Sequence, residues 1–465
     1  MMLTDTNGDA SRLSFWPRVR EFAVPASMIE IATARRDVGD WAGACAAAGF
    51  DVDIDLRAAA REYGPELAAR VRADLRHLAP DLLRWHMPRV APDGLLRPGL
   101  TITLARYDVG ESGNPCGRES SVHLVVRTAP AWADAGQRIG LTLWDGARFA
   151  SGMHPHPRPD RRYRLDLHRH LWDARRADEL RIRCGAADSG GETLVDPELA
   201  SMAPRERAGA VDRWAAEARI LLDAEGQPGD SFLLRLGGRQ RVAAQLIEDG
   251  CGPPEVRPAR GHPVGGLSAL PLLPDAATWV LPDLELLRSG AISPDRLHPL
   301  VASALVPDHV PGEATSARTE AYRRHLVPCQ GREHRIGVVD GVLTALDHDP
   351  AEIRREELLV ALTGKPVPCL QFIDWLHRNP LGLDSIRERL RHGDTAGALA
   401  VVEGLLGPDA VLREGPLLDA LEASALRRIT YGLYRAGLAR PDRNIHPHRG
   451  RPRDRRGHPR HANSH

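Results

Sequence analysis

The densest run of chemistry-bearing side chains in this sequence is His154-Pro-His156, followed by Asp166-Leu-His168-Arg-His170. If Tyr163 to His170 is extended, alternation puts Arg164, Asp166, His168 and His170 on one face and Tyr163, Leu165 and Leu167 on the other. With His154 or His156 from the preceding loop, three or four N and O donors meet, the set that holds zinc, iron or manganese. A metal there acidifies a bound water into a nucleophile, the chemistry of a metal-dependent hydrolase. A helix starting near Asp166 gives the opposite result. With Asp166 as cap and Leu167, Leu171 and Trp172 inward, His168 and His170 diverge by about 200°. Arg158, Arg161, Arg162, Arg164 and Arg169 flank the histidines and repel a cation. The expectation is therefore an Arg- and His-rich surface segment whose imidazoles point into solvent. A divalent transition metal on His154, His156, Asp166, His168 and His170 is the alternative.

Two further constellations carry nucleophiles. Gly229-Asp230-Ser231-Phe232-Leu233, with Asp295-Arg-Leu-His298-Pro299 downstream, resembles the nucleophile and D-x-x-H blocks of GDSL-type serine esterases. The resemblance implies Ser231 as nucleophile, His298 as base and Asp295 as its orienting acid. It covers nine residues. The asparagine that the family places in its oxyanion hole is missing, because no asparagine occurs from Pro115 to Arg378. Ser231 then reads as the first residue of a strand. Cys329 beside His325 and His334 is a thiol near two imidazoles, with Arg332 and Arg335 available to lower its pKa. Pro328 and Gly331 suggest only a turn entering a hairpin. Trp375 and His377 fall in Pro368–Arg378, where Leu370, Ile373, Trp375 and Leu376 read as a core face.

Composition narrows the chemistry further. Of the 62 basic residues, Lys365 is the only lysine and 61 are arginine, balanced by 62 acidic residues. Arginine forms no Schiff base, so pyridoxal, aldolase and kinase chemistry would all rest on Lys365. Its setting, Leu362-Thr-Gly-Lys-Pro366, lacks the Ser or Thr and the earlier glycine of a phosphate-cradling loop, which excludes a nucleotide site of that kind. Six cysteines lie at least 40 residues apart with no C-x-x-C pair, the usage of a reducing cytosol. Charged residues through Met1–Val24 leave no signal core, and no run reaches the length of a membrane span.

The elements that must position these residues follow from periodicity. Helices are expected over Ile29–Val38 and Trp41–Ala48, separated by a helix-ending Gly39 and a capping Asp40. Leu67, Val71, Leu75, Leu78 and Leu82 form the stripe of one longer helix opened by Pro65. Strands are expected at 100–107, 121–127 and 139–144 and as a hairpin over 231–247 turning at Gly237-Gly238. A helix is expected over Pro204–Leu222. After the proline-dense 251–274 come two short helices within 281–305 and a strand, Asp340-Gly341 turn and strand. Asp349-Pro350 then opens a helix to Leu362.

An internal echo joins the two ends. Arg35-x3-Gly39-Asp40-x-Ala42-Gly43-Ala44-x-Ala46 repeats as Arg389-x3-Gly393-Asp394-x-Ala396-Gly397-Ala398-x-Ala400. The pattern resembles the helix–turn–helix unit of tetratricopeptide-like repeats, which implies protein binding. Two distant copies do not make a solenoid, because stacked repeats need about three neighbours to close a core.

The fold class expected is an α+β multidomain chain. It has a helical unit with a hairpin over 1–98, a β-rich α+β domain over 99–250 and a Pro/Gly linker over 251–274. A mainly helical domain with a hairpin at 335–346 spans 275–439, and a disordered basic tail spans 440–465. The expected function is a non-catalytic, cytoplasmic protein-interaction or accessory subunit using helical hairpins, with another protein as partner. No cofactor, nucleotide or membrane enters this reading, and nucleic acid only through weak contact by the tail, which carries eight arginines, two aspartates and five histidines. The alternative is the metal-dependent hydrolase of positions 154–170.

Overall fold

The computed structural model describes residues 7–109, 121–134, 136–146, 154–187, 194–204, 207–226, 229–237, 240–248, 253–259, 266–310, 325–329, 332–347, 349–363, 368–380 and 382–438. The tail at 440–465, Lys365 and the Gly238 half of the expected turn lie outside them. The fold is α+β, with helices and sheets in separate regions. Two compact units divide the chain: Met1–Val310 with Leu433–His465, and Pro311–Gly432.

In the first unit, helices α1 (Asn7–Phe22), α2 (Ala26–Asp37), α3 (Trp41–Ala47), α4 (Leu56–Tyr63), α5 (Pro65–His77) and α6 (Pro80–His86) accompany a four-stranded sheet. Its strands are β1 (Phe50–Asp53), β2 (Thr101–Asp108), β3 (Ser121–Thr128) and β4 (Ile139–Trp144), in the order β1-β4-β3-β2. β1 runs parallel to β4, and the other pairs are antiparallel. Alternation sends Val122, Leu124, Val126, Ile139 and Leu141 into one apolar core with Val71, Leu75, Leu82 and Trp85. The helical N-terminal stretch and the strands of the middle thus share a core. A second core packs α7 (Trp214–Glu225) on a sheet of order β5-β8-β7-β6, with β5 (Leu194–Val195), β6 (Ser231–Arg235), β7 (Arg241–Ile247) and β8 (Glu255–Pro258). Short helices α8 (Pro282–Arg288) and α9 (Pro299–Leu305) return to the first core.

Three local expectations change. The leucine stripe from 67 to 82 belongs to two helices, because Pro80 has no N–H to continue the ladder and holds Ala79 extended. Both halves still bury their leucines. The helix expected from Pro204 begins only at Trp214, after a single 3-10 turn, although Trp214, Ala218 and Leu221 are buried as their spacing requires. Within the proline-dense 251–274, Glu255–Pro258 is a strand between β5 and β7, and Leu273 is fully buried. Pro258 stands at the end of that strand, where a missing ladder donor costs little.

In the second unit, β9 (His325–Cys329), β10 (Arg332–Val339) and β11 (Val342–Ala345) form an antiparallel sheet whose Asp340-Gly341 turn has positive φ at both residues. Helices α10 (Pro350–Thr363), α11 (Pro368–Arg378), α12 (Leu383–His392), α13 (Thr395–Leu406) and α14 (Pro416–Arg435, in this unit to Gly432) follow.

The sequence echo is an atomic echo. Gly39 and Gly393 take φ of 80° and 89°, and the next N–H closes back on the carbonyl five residues earlier, Asp40 on Arg35 at 2.9 Å and Asp394 on Arg389 at 2.8 Å. Asp40 and Asp394 each cap the following helix by accepting from Gly43 or Gly397 at 2.8 Å. Each carboxylate also pairs with the arginine of the motif, Arg35 at 3.1 Å and Arg389 at 2.6 Å. A Cβ at Gly43 or Gly397 would fall on the capping carboxylate, and Ala44 and Ala398 are fully buried. Every fixed residue of the pattern serves this turn except its outer alanines. Glycine to alanine inside a helix ordinarily stabilises by about 1 kcal/mol. Gly397→Ala should instead destabilise by about 1 kcal/mol, matching Asp394→Ala, since both remove the cap. Urea unfolding of the full chain measures both, and a stabilised Gly397→Ala would refute this account of the motif.

Candidate functional site

The segment 154–183 is the seam between the two cores of the first unit. Leu165, Leu171 and Trp172 enter the first core, while Leu167 packs on the second. Its arginines reach the same way. Arg162 pairs with Asp275 at 2.7 Å, Arg164 with Glu225, and Arg161 donates to the carbonyls of Ser268 and Leu270. Arg183 grips Glu217 with two donors, at 2.6 and 2.7 Å, and the same guanidinium reaches the Leu167 carbonyl and His168 Nδ1, each at 3.1 Å. Arg169 turns back to Asp74 and Asp173.

These partners correct the surface reading. His154, His168 and His170 are buried, at 7, 2 and 5% exposure, while Arg162, Arg164 and Arg169 between them are held by carboxylates and Arg158 and Arg161 face solvent. The imidazoles do not share a centre. His154 bonds the Thr128 carbonyl through Nε2 at 3.0 Å and accepts the His156 N–H on Nδ1, so both nitrogens are occupied. His156 offers its carbonyl to Thr101. Asp166 is held by Arg164 at 2.8 Å. His168 and His170 come together, with ring centroids 5.7 Å apart. An arginine has only hydrogens to offer, so His168 Nδ1 is the acceptor and its Nε2 carries the proton, buried without a partner among the described residues, like His170 Nδ1. Among the described residues no group of three or more His, Cys, Asp and Glu side chains is arranged to hold a metal ion.

The esterase-like trio is dispersed as well. His298 takes the Leu300 N–H on Nδ1, capping α9, so Nε2 carries the proton and donates to Asp81 at 3.0 Å. Asp295 faces His309 at 2.7 Å, and Ser231 opens β6 opposite Gln245. With both ring nitrogens engaged, His298 has none left for a serine. The side chains of His325 and Cys329 lie outside the described residues; His334 is buried opposite Val327.

The sequence reading passed over a serine–histidine pair on the polar face of the first sheet. Ser121 and His123, two apart on β3, share a face, with Ser121 Oγ 3.0 Å from His123 Nε2. Burial, then Arg106, lowers the His123 pKa to about 4, so the ring is neutral. Its Nδ1 meets the Thr103 hydroxyl at 3.4 Å. Thr103 is 1% exposed and among the described residues this ring is the partner of its hydroxyl, so Thr103 donates and Nε2–H points at Ser121. That tautomer makes the serine an acceptor rather than an activated nucleophile. A Ser-x-His step on a strand was the available signal, and it is common in sheets without chemistry.

In the second unit the side chains stand otherwise. Cys369, Ile373, Leu376 and His377 form the inner face of α11, spaced by about one helical turn, while Trp375 is 46% exposed and stacks on Phe372 at 5.7 Å. Trp375 is thus not core, since its position lies about 200° around the helix from Ile373. Asp374 beside it is held by Arg378 and Arg413. The loop carrying Arg413 exposes Val411 and Leu412, and its start packs under the hairpin turn, where a Cβ at Gly407 would fall on the Gly341 carbonyl. Val338, Val339 and Val342 flank that turn and are exposed.

Comparison with protein-family models, with curated proteins and with solved structures finds no match for this chain. Function therefore rests on these side chains alone.

Burial lowers the pKa of His86, His123 and His154 to about 4, and lowers His168 and His170 also. Between pH 4 and 6.5 the unfolded chain binds protons that these rings refuse in the native state, so stability is complete above pH 6.5 and falls as pH drops through that window. His154→Gln should flatten this slope by about 1.4 kcal/mol per pH unit. Urea midpoints at pH 7, 6, 5 and 4.5 test it, and parallel curves for wild type and variant would refute it.

Proposed function

We propose that this chain is a non-catalytic protein-interaction or accessory subunit whose partner, another protein, docks on the unit Pro311–Gly432. One observation supports this above the rest: of the 18 exposed large apolar side chains among the described residues, 11 lie in that unit of 122 residues. Large apolar side chains held in water are costly unless something covers them, and an exposed tryptophan rimmed by paired charges matches the composition of binding hot spots. Trp375, Val411 and Leu412 stand beside the Asp374–Arg378–Arg413 cluster, whose charges form a polar rim. The duplicated hairpin acts indirectly in this reading, since Asp394 and Ala398 face inward and hold α12 on α13 rather than meeting the partner.

Placement in a reducing cytosol belongs to the same proposal. Among the described residues Cys45, Cys184 and Cys369 are free thiols, and burial raises Cys45 to about 12 and Cys184 to about 11, leaving both unreactive. Among the described residues no helix is long and apolar enough to cross a membrane.

The test is purification of the tagged full chain from its own cells at native abundance, beside a Trp375→Glu, Leu412→Glu double variant. A stoichiometric protein should accompany the wild type and be at least tenfold depleted from the variant, with thermal unfolding unchanged. A wild type that purifies alone, or a partner retained by the variant, overturns the reading.

A further inference from the structure

Nearly every arginine buried in the first unit has an oxygen to bond. Arg20 has Asp283 and the Trp85 carbonyl, Arg84 and Arg89 take carbonyls, and those of the seam take carboxylates. Arg127 is different. It lies on the polar face of β3, half-buried, and its Nε is sealed from water without a partner. Tyr434 and Asp53 act on its charge, and neither bonds it among the described residues.

The neighbouring carboxylates are already taken. Asp51 receives two bonds from Arg138, at 2.6 and 2.9 Å, and Asp53 pairs with Arg435 at 2.8 Å. Three guanidiniums thus stand against two carboxylates. His154, whose protonation Arg127 opposes, is a neutral ring bonded to the Thr128 carbonyl, and an imidazole has no negative form with which to balance a guanidinium.

A second observation concerns space. Register places Asp51, Gly140, Arg127 and Thr101 in one row across the sheet, on one face. The member between Asp51 and Arg127 is glycine, and no positive φ requires it. A Cβ there would meet its nearest neighbours, the Arg127 carbonyl and Arg127 Cβ, at 3.8 and 4.0 Å, ordinary contact. Sheet packing does not demand Gly140, and glycine within a strand marks a place where something else approaches the backbone.

We propose that Arg127, beside Gly140 in this row, is a binding site for an oxyanion, the carboxylate or phosphate group of a small ligand. The planar guanidinium fork presents paired donors that match either group, and the anion supplies the counter-charge that the fold withholds. This site lies in the other unit from the proposed protein-docking surface and does not rest on it.

Isothermal titration of the full chain with inorganic phosphate and, separately, with acetate tests it, at constant ionic strength made up with chloride. Saturable binding of at least one of the two is expected, and the stronger names the group. Arg127→Gln should weaken it about tenfold or more. Gly140→Leu should do the same with the guanidinium in place, so the site remains readable if Arg127→Gln fails to fold. Asp53→Asn, which removes a competing charge, should tighten binding. No saturable binding by either anion, or equal binding in Gly140→Leu, would overturn the proposal.

Discussion

Arginine pairing at a seam between two apolar cores is the constraint on which the first unit depends. Arg183 and Glu217 are both withdrawn from water, and each is tolerable only because the other is present in a two-donor geometry. Removing one partner would leave a buried charge, a loss of about 3–5 kcal/mol, whereas the attraction of an exposed pair is worth at most about 1 kcal/mol. Arg162 with Asp275 and Arg164 with Asp166 and Glu225 repeat the arrangement along the same segment. With 61 arginines and one lysine, the chain has the side chain suited to this role, a planar fork that bonds a carboxylate and a carbonyl at once.

The seam accounts for the histidines. His168 accepts from the guanidinium that holds Glu217, and His170 lies against it, so protonating either would set a new cation beside Arg183. Burial keeps them neutral, and the positive charge of Arg183 beside them adds to it. The same arithmetic makes Arg127 stand out, a guanidinium without an oxygen to bond among the described residues, in a unit where Arg20, Arg84, Arg89 and Arg183 each have one.

The second unit solves another problem. Its core is small, built on Ile336, Leu343, Ile373, Leu376, Ile386, Leu390 and the inward face of α13. Five helices and a three-stranded sheet around so little interior leave apolar side chains outside, and Trp375 is the largest of them. Small cores carry a high surface-to-volume ratio, so a covering partner would add both recognition and stability.

Much of the fold was legible because its signals are local. The Asp340-Gly341 turn, the strands near 101, 121 and 139, and the duplicated Gly-Asp caps follow from φ preferences and alternation that no distant residue alters. β1 was hidden, as four residues at a sheet edge between helices carry too little pattern, and its pairing with β4 joins positions 50 and 139. Trp375 was misplaced by its apolar neighbours, since only the helix's actual docking face decides which side is inside. The candidate site was the least legible part. Spacing brought His154, His156, Asp166, His168 and His170 together on paper, yet His154 was taken by Thr128, 26 residues back, Asp166 by Arg164, and His168 by the Arg183 that holds Glu217. The sequence alone determined which segments could be helix, strand or turn, and that arginine would supply all but one of the Lys and Arg cations. Tertiary structure decided which carboxylate each arginine received and so which imidazoles were buried neutral. That choice depends on Coulomb energy and desolvation between groups far apart in the chain, and these exist only once the two cores have met.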